Sequence, residues 1–183
     1  MTSPAQPARW RSKEAEARGA ARLAAVQALY QMDLASTDLN DVIDQFRQHR
    51  FEAAPDESAE GASATTDTGM DEGGRQAGVD PQFFHDLLQG VVRRQREIDP
   101  LLDQQLAEGW RLNRIDSILR AILRGGAYEL MDRTDIPGRV IISEYVEVAR
   151  AFFAVDEPKV VNGVLDKIAR RLRPDEFAGG SRE

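Results

Sequence analysis

The sequence contains no cysteine and only two histidines among its 183 residues. The lack of cysteine excludes disulfides and thiolate metal sites within the chain, and it is compatible with residence in the cytoplasm. His49 and His85 fall on different predicted helices, and neither has a second ligand at a metal-binding spacing. Both are interpreted as ordinary helix residues, and we expect neither a metal nor another cofactor.

Long apolar runs and catalytic motifs are also missing. No apolar run approaches the ~20 residues that a membrane helix needs, and no apolar stretch follows the first basic residues as it would in a secretory signal. No nucleophile elbow, P-loop or dinucleotide fingerprint occurs. Glu144 and Glu147 lie three residues apart, a spacing more typical of a solvated helix face than of an acid–base pair. The sequence therefore predicts neither a membrane protein nor an enzyme.

Helical periodicity dominates what is present, and no alternating strand pattern of useful length appears. The first helix is predicted from about Lys13, with Leu23, Val26, Tyr30 and Leu34 on one face. Six further helices are predicted: from Leu39 to near Phe51, from Asp80-Pro81, from Asp99-Pro100 to Gly109, from Asn113 to Leu130, from about Ile141 to Phe153, and from an Asp156 cap to Leu172. The fold class is predicted to be all-α.

Three stretches lack this periodicity. Residues 1–12 are predicted to be a flexible basic arm, and residues 175–183 a flexible tail. Residues 53–79 are rich in small and acidic side chains, which predicts a mobile acidic insertion within the domain. By contrast, Gly125-Gly126 lies inside a helical pattern and predicts close packing of two helices rather than a phosphate loop.

Charge is distributed unevenly along the chain, although the net charge is −7. The basic side chains near the start are Arg9, Arg11, Lys13, Arg18 and Arg22, with Trp10 among them. Basic side chains neutralise phosphates, and an interleaved aromatic ring can stack on an unpaired base. The alternative is a solvated arm and helix face. The same two interpretations apply to Asp156 and Lys159, whereas Phe152 is either core or a stacking platform.

Several stretches together resemble the NusB family of bacterial transcription antitermination factors. The most specific is Lys159-Val160-Val161-Asn162-Gly163-Val164-Leu165-Asp166-Lys167. Others are Ala25-Val26-Gln27-Ala28-Leu29-Tyr30, Ala121-Ile122-Leu123-Arg124, Ala127-Tyr128-Glu129-Leu130 and Ile136-Pro137 followed by Val140-Ile141-Ile142-Ser143-Glu144. The resemblance covers about residues 13–52 and 81–174.

The resemblance implies a single domain over residues 13–174, made of two packed three-helix bundles with about seven helices. The bundles would comprise residues 13–98, including the insertion, and residues 99–174. It also implies a non-catalytic protein that pairs with ribosomal protein S-ten (NusE) and binds box A RNA of ribosomal RNA operons. That complex, with other Nus factors and RNA polymerase, would support processive transcription in the cytoplasm.

The resemblance further implies roles for individual residues. Its RNA-binding set is Arg11, Lys13, Arg18, Arg22, Phe152, Asp156 and Lys159. Its partner-facing set is Tyr30, Arg120 and Arg124. Two departures from the family pattern are the acidic insertion and the interruption of the arginine cluster by Gly19, Ala20 and Ala21, which predicts modest RNA affinity without the partner.

Two other functions stay open at this point. NusB-like domains also occur fused ahead of ribosomal RNA cytosine methyltransferase domains, but we expect no such downstream domain here, and the sequence contains no cofactor-binding glycine motif. A non-catalytic helical adaptor that binds a protein without sequence-specific RNA recognition fits the same fold. The basic start of the chain favours RNA binding over this adaptor.

Overall fold

The protein is all-α over the described part of this computed structural model, which comprises residues 13–51 and 78–178. Its helices are α1 (Lys13–Ala35), α2 (Leu39–Phe46), α3 (Pro81–Asp103), α4 (Ser117–Asp132), α5 (Gly138–Phe152), α6 (Asp156–Leu172) and α7 (Pro174–Phe177), with a π-helical turn at Arg47–Phe51. The predicted fold class is confirmed. The predicted arm 1–12 and nearly all of the insertion 53–79 lie outside the described residues.

The helices pack as two three-helix bundles, α1–α3 and α4–α6, around one continuous hydrophobic core. Helix α4 joins them, because it packs against α1 and α3 of one bundle and against α5 and α6 of the other. Within residues 13–51 and 78–178, no helix is long and apolar enough to cross a membrane.

Aspartates define the starts of two predicted helices. The Asp80 carboxylate accepts from Phe83 N at 2.9 Å, which confirms the start at Asp80-Pro81. Asp116 accepts from the amides of Ile118 and Leu119, so α4 begins at Ser117 rather than at Asn113 as predicted. The predicted Asp156 cap is wrong: α6 has no side-chain cap, and Asp156 is its first residue.

The prediction of a separate helix from Asp99-Pro100 is wrong, because these residues belong to α3. The helix continues through Pro100 to Asp103, so the predicted bundle boundary at 98/99 falls inside it. Ile98 and Leu102 are fully buried on either side of Pro100, and their burial holds the last turn despite the amide that proline lacks. Asp99 does not cap a helix, because both of its carboxylate oxygens bind Arg124. Gly109 lies in the following loop, with φ +83°.

The buried face of α1 also differs from the predicted stripe. Val26 and Leu29 are buried together with four alanines of the same helix, Ala21, Ala24, Ala25 and Ala28. Leu34, predicted on the same face as Val26, is 63% exposed. Alanine leaves little side chain between helices, so α1 packs closely on α3 and α4 through the alanines rather than through its larger residues.

The glycine pair of α4 confirms the predicted close packing. A Cβ atom at Gly125 would lie 2.8 Å from the Tyr145 ring of α5. A Cβ atom at Gly126 would lie 2.6 Å from Leu165 Cδ1 of α6. Because these two consecutive residues have no side chains, large side chains from two neighbouring helices can pack directly against the backbone of α4.

More of the C-terminal segment is helical and packed against the domain than the sequence predicted. Residues 175–177, placed in a flexible tail by the sequence, belong to α7, and Phe177 is buried. Just before it, the buried guanidinium of Arg173 donates to four backbone carbonyls, those of Glu129, Leu130, Arg133 and Ile136, at 2.8–3.0 Å. Arg173 thus satisfies carbonyls at the end of α4 and in the turn that leads to α5.

A buried ion pair joins α1 to α4. Arg22 Nε and Nη2 each donate to a carboxylate oxygen of Glu129 at 2.8 Å, and Tyr145 of α5 donates its hydroxyl to Glu129 Oε1 at 2.8 Å. Arg22 is 3% exposed and Glu129 is fully buried. Burial alone would lower the pKa of Arg22, but the hydrogen bonds and charge of Glu129 outweigh it, so the pKa is raised. Burial, followed by the charge of Glu129, raises the pKa of Tyr145.

We expect Arg22→Met to lower the free energy of unfolding by about 3–5 kcal/mol, because it leaves the Glu129 carboxylate buried without its counter-charge. In the double variant R22M/E129M, most of this loss should be recovered, since both charges are then removed. Urea denaturation of both variants measures the effect. Additive losses in the double variant would show that the pair does not act as a unit.

We expect Leu165→Ala to cost roughly 2–5 kcal/mol in chemical denaturation, because Leu165 is fully buried against Gly126. The matched control is Leu172→Ala in the same helix, where the side chain is 40% exposed. Equal losses in the two variants would contradict the observed packing of α6.

Candidate nucleic-acid interface

The predicted RNA-binding residues of α1 have different surroundings. Arg11 lies outside the described residues, and Lys13 is exposed at the first position of the helix. Arg18 is partly exposed and forms an ion pair with Glu14 one turn earlier, at 2.7 Å. An exposed pair of this kind contributes little to stability, so its cation can exchange the carboxylate for a phosphate.

Three guanidinium groups lie against the ring of Phe83. Only two of them belong to arginines that the sequence indicated as functional residues. The carbon centres of Arg18, Arg22 and Arg133 lie 5.5, 4.9 and 4.9 Å from the ring centroid. Arg18 Nε is buried and has no hydrogen-bond partner among the described residues. Arg133 had no sequence signal, because it follows the last turn of α4 and belongs to no periodic pattern.

Arg133 is held by a carboxylate of its own turn. Its guanidinium donates to both oxygens of Asp135 at 2.9 Å. This hydrogen bonding lowers the pKa of Asp135 to about 2, so the pair stays charged throughout the neutral range. Arg18 and Arg133 therefore place two cationic groups beside the start of α1.

Arg22 requires a correction. Its predicted RNA contact conflicts with a side chain that is 3% exposed and committed to Glu129. It also reaches Glu144 at 3.5 Å. An arginine buried in this way is not accessible to a phosphate at the surface, and it joins helices instead.

The residues at the α5–α6 junction lie in two different surroundings. Asp156 and Lys159 are exposed and face each other across one helical turn, with an N–O distance of 3.4 Å. Phe152 is only half-buried; it packs against the edge of the core and also lines an apolar groove. Both predicted functions of Phe152, packing and presentation to a ligand, are compatible with this position.

The apolar groove lies between α1, α2, α4 and α5 and has a volume of about 470 Å³. Its lining consists of Val26, Gln27, Tyr30, Gln31, Leu34, Ala35, Phe46, Ile118 and Phe152. Leu34 is the most exposed large apolar side chain of the described residues, and Tyr30 is half-buried beside it. The groove therefore brings Tyr30, a predicted partner residue, together with Phe152, a predicted RNA residue.

The other two predicted partner residues face a neighbouring cleft. Arg124 binds Asp99 at 2.8 and 2.9 Å and Asp33 at 3.3 Å, and it is only 8% exposed. Burial would lower its pKa, but the hydrogen bonds and charge of Asp99 outweigh it and raise the pKa. This corrects the prediction for Arg124, which joins α1, α3 and α4 and is not available to a partner. Arg120 binds Asp33 at 3.0 Å and keeps part of its surface exposed.

The described residues contain no cluster of side chains suited to binding a metal ion. Among residues 13–51 and 78–178, no three His, Cys, Asp or Glu side chains are grouped closely enough to hold an ion. His85 lies 3.5 Å from Asp86, its neighbour in sequence, and His49 is exposed in the π-helical turn.

Comparisons with known proteins agree on one family. The sequence profile of the NusB family matches residues 19–170. The transcription antitermination protein NusB of Bradyrhizobium diazoefficiens is 48% identical over 175 residues, which cover 96% of each chain. A protein of the same name from Rhodopseudomonas palustris is 50% identical over 165 residues, covering 90% of this chain and 86% of that one.

Solved structures agree on the fold. T. maritima NusB superposes with a TM-score of 0.64 at 27% identity, covering 88% of this chain and 96% of that chain. A crystal structure of the antitermination factors NusB and NusE in complex with double-stranded RNA superposes with a TM-score of 0.61 at 22% identity, covering 84% and 96%. The profile spans most of the chain and the relatives match nearly all of it, and on this evidence the chain belongs to the NusB family.

Proposed function

We propose that this protein is an RNA-binding transcription antitermination factor that acts without catalysis. It pairs with ribosomal protein S-ten (NusE), binds box A RNA of ribosomal RNA operons and supports processive transcription by RNA polymerase together with other Nus factors. The names of the relatives and of the NusB–NusE–RNA structure support this proposal.

The border between the apolar groove and the α5–α6 junction is the observation that carries the proposal. Phe152 lines the groove at the end of α5, and Asp156 and Lys159 stand exposed at the start of α6. A protein seated in the groove and an RNA strand at the junction would therefore be immediate neighbours. We therefore expect a partner in the groove to strengthen RNA binding, because the two ligands would share a boundary.

The groove is suited to a protein rather than to RNA. Tyr30, Leu34 and Phe152 offer apolar and aromatic surface, and anchors of this kind dominate protein interfaces. Arg18 lies toward the other end of α1, roughly 18 Å from Tyr30 for twelve residues of helix, and Lys13 lies still farther along it. We assign the groove to the S-ten partner, and the exposed residues Lys13, Arg18, Asp156 and Lys159 to RNA.

The alternative is a helical adaptor that binds a protein without reading RNA. The burial of Arg22 favours it, because one of the cations predicted to bind RNA is not at the surface. RNA binding that shows no preference for box A over a scrambled sequence, with and without S-ten, would support the adaptor.

We expect Arg18→Gln to weaken binding to single-stranded box A RNA and to reduce the slope of log K against log salt by about 0.7, the value for one lost phosphate contact. The matched control is Arg170→Gln, because Arg170 forms the same 2.7 Å pair with a carboxylate one turn earlier, on α6. Anisotropy titrations at several salt concentrations measure both slopes. An identical slope in the Arg18 variant and wild type would remove Arg18 from the interface.

We expect Leu34→Glu to weaken binding to S-ten by at least about 30-fold, because it places a charge in the apolar groove. Since Leu34 is 63% exposed, thermal unfolding should stay close to wild type. The control is Val140→Glu, an equally apolar position that is 45% exposed near the start of α5. Calorimetric titration with S-ten compares the two, and equal affinities would exclude the groove as the partner site.

A further inference from the structure

The loop between α3 and α4, residues 104–116, holds an aromatic side chain at the surface. Trp110 is 47% exposed, although Leu112, two residues later, is buried in the core. Leu112 N donates to the Asp103 carboxylate at 2.8 Å, and Leu112 O accepts from Arg120 Nη1 at 3.3 Å. The backbone on both sides of Leu112 is thus held in place, and the indole of Trp110 is presented by an ordered loop.

Trp110 forms one wall of a cavity of about 370 Å³. Ile115, Leu119 and Val160 supply its apolar surface, and Asp156 and Glu157 at the start of α6 also line it. Asp156 belongs to the proposed RNA-binding set, so the cavity is continuous with that surface. A flat aromatic wall beside apolar side chains suits a planar ring.

Two arginines also line this cavity. Arg111 and Arg114 are exposed and line both this cavity and the neighbouring cleft that contains Asp33. Within residues 13–51 and 78–178, neither forms an ion pair, whereas Arg120 and Arg124 of the next helix both bind Asp33. The two loop arginines therefore remain available to an anion that comes from outside.

The carboxylates around the cavity are mostly engaged. Asp116 accepts the first amides of α4, and Asp156 faces Lys159 at 3.4 Å. Glu157, which is half-buried, has neither an ion pair nor a side-chain hydrogen bond among the described residues, so its oxygens can accept from an exocyclic amino group. The cavity thus offers an aromatic wall, a hydrogen-bond acceptor and two cations.

We infer that this cavity is a subsite for one unpaired nucleotide of the bound RNA. The base stacks on Trp110, and the flanking phosphates bind Arg111 and Arg114. The inference rests on the proposed function, since it extends the same RNA strand from the α5–α6 junction onto the α3–α4 loop. Stacking on an aromatic side chain accepts every base, whereas Glu157 favours bases that carry an amino group.

Tryptophan fluorescence tests the subsite directly. The chain has two tryptophans, Trp10 and Trp110, so W10F leaves Trp110 as the single reporter. Single-stranded box A RNA is titrated into the full-length variant with S-ten present, and a dye-labelled copy of the same RNA reports binding independently by anisotropy. We expect Trp110 emission to be quenched with the same midpoint as the anisotropy change.

Substitutions then separate stacking from charge. W110A should weaken RNA binding about tenfold without changing the salt slope, whereas W110F should stay within about threefold of wild type. R111Q/R114Q should reduce the slope by about 1.4, from two contacts of roughly 0.7 each. Thermal unfolding of each variant confirms that the loop still folds, and S-ten affinity confirms that the groove is intact.

The outcomes distinguish the subsite from the wider function. RNA binding with unchanged Trp110 emission and unimpaired W110A would overturn the subsite and leave the proposed function standing. Quenching by S-ten alone, with no further change on adding RNA, would overturn it in favour of a protein site. If wild type binds no RNA even with S-ten, the proposed function fails and the subsite fails with it.

Discussion

The buried pair of Arg22 and Glu129 is the interaction on which the rest of the arrangement depends. A charge taken out of water requires a counter-charge at hydrogen-bond distance, and only one relative position of α1 and α4 brings these two groups together. Tyr145 donates to the same carboxylate, so the pair also determines where α5 lies. Apolar burial is non-directional, so it specifies the relative position of two helices less sharply than this hydrogen-bonded ion pair does. The ionic network selects one register for both bundles.

That register places the functional surfaces. With α1 held against α4, Tyr30 and Leu34 at the end of α1 come to border Phe152 at the end of α5, and the apolar groove results. Arg120 and Arg124 add a second connection through Asp33, on the same two helices. The buried ion pairs and the exposed apolar side chains therefore have complementary roles. The arginines hold the helices in position, and uncharged side chains can then face a partner.

The sequence predicted the helices well and their termini less well. Periodicity located the helices α3, α4, α5 and α6, because three- and four-residue spacing is a local property. Pro100 was misjudged because the burial of Ile98 and Leu102, which holds its turn together, depends on helices distant in the chain. Leu34 was misjudged for a related reason: alanines form the contact of α1, and spacing alone gives no preference for the smaller residues.

The candidate site was harder to predict than the fold. Arg18 and Arg22 differ by one helical turn and look equivalent in sequence. Arg18 pairs with the exposed Glu14 of its own helix, whereas Arg22 binds the buried carboxylate of Glu129, 107 residues later in the chain. Arg124 is likewise held away from the surface by its hydrogen bond to Asp99. Trp110 and Arg133 gave no signal because they lie outside the periodic segments. Local pattern identifies which residues are cations, but only the tertiary structure shows which of them remain at the surface.

The position of Arg173 has a consequence for how the chain assembles during synthesis. Its guanidinium is shared by four carbonyls in residues 129–136, roughly forty residues earlier in the chain. A nascent chain can form α1, α3 and α4 on the ribosome, but the end of α4 and the turn after it lack this common donor until residue 173 has left the exit tunnel. The last turn of α4 therefore reaches its final geometry only after residue 173 has emerged, roughly forty residues later than the turn itself.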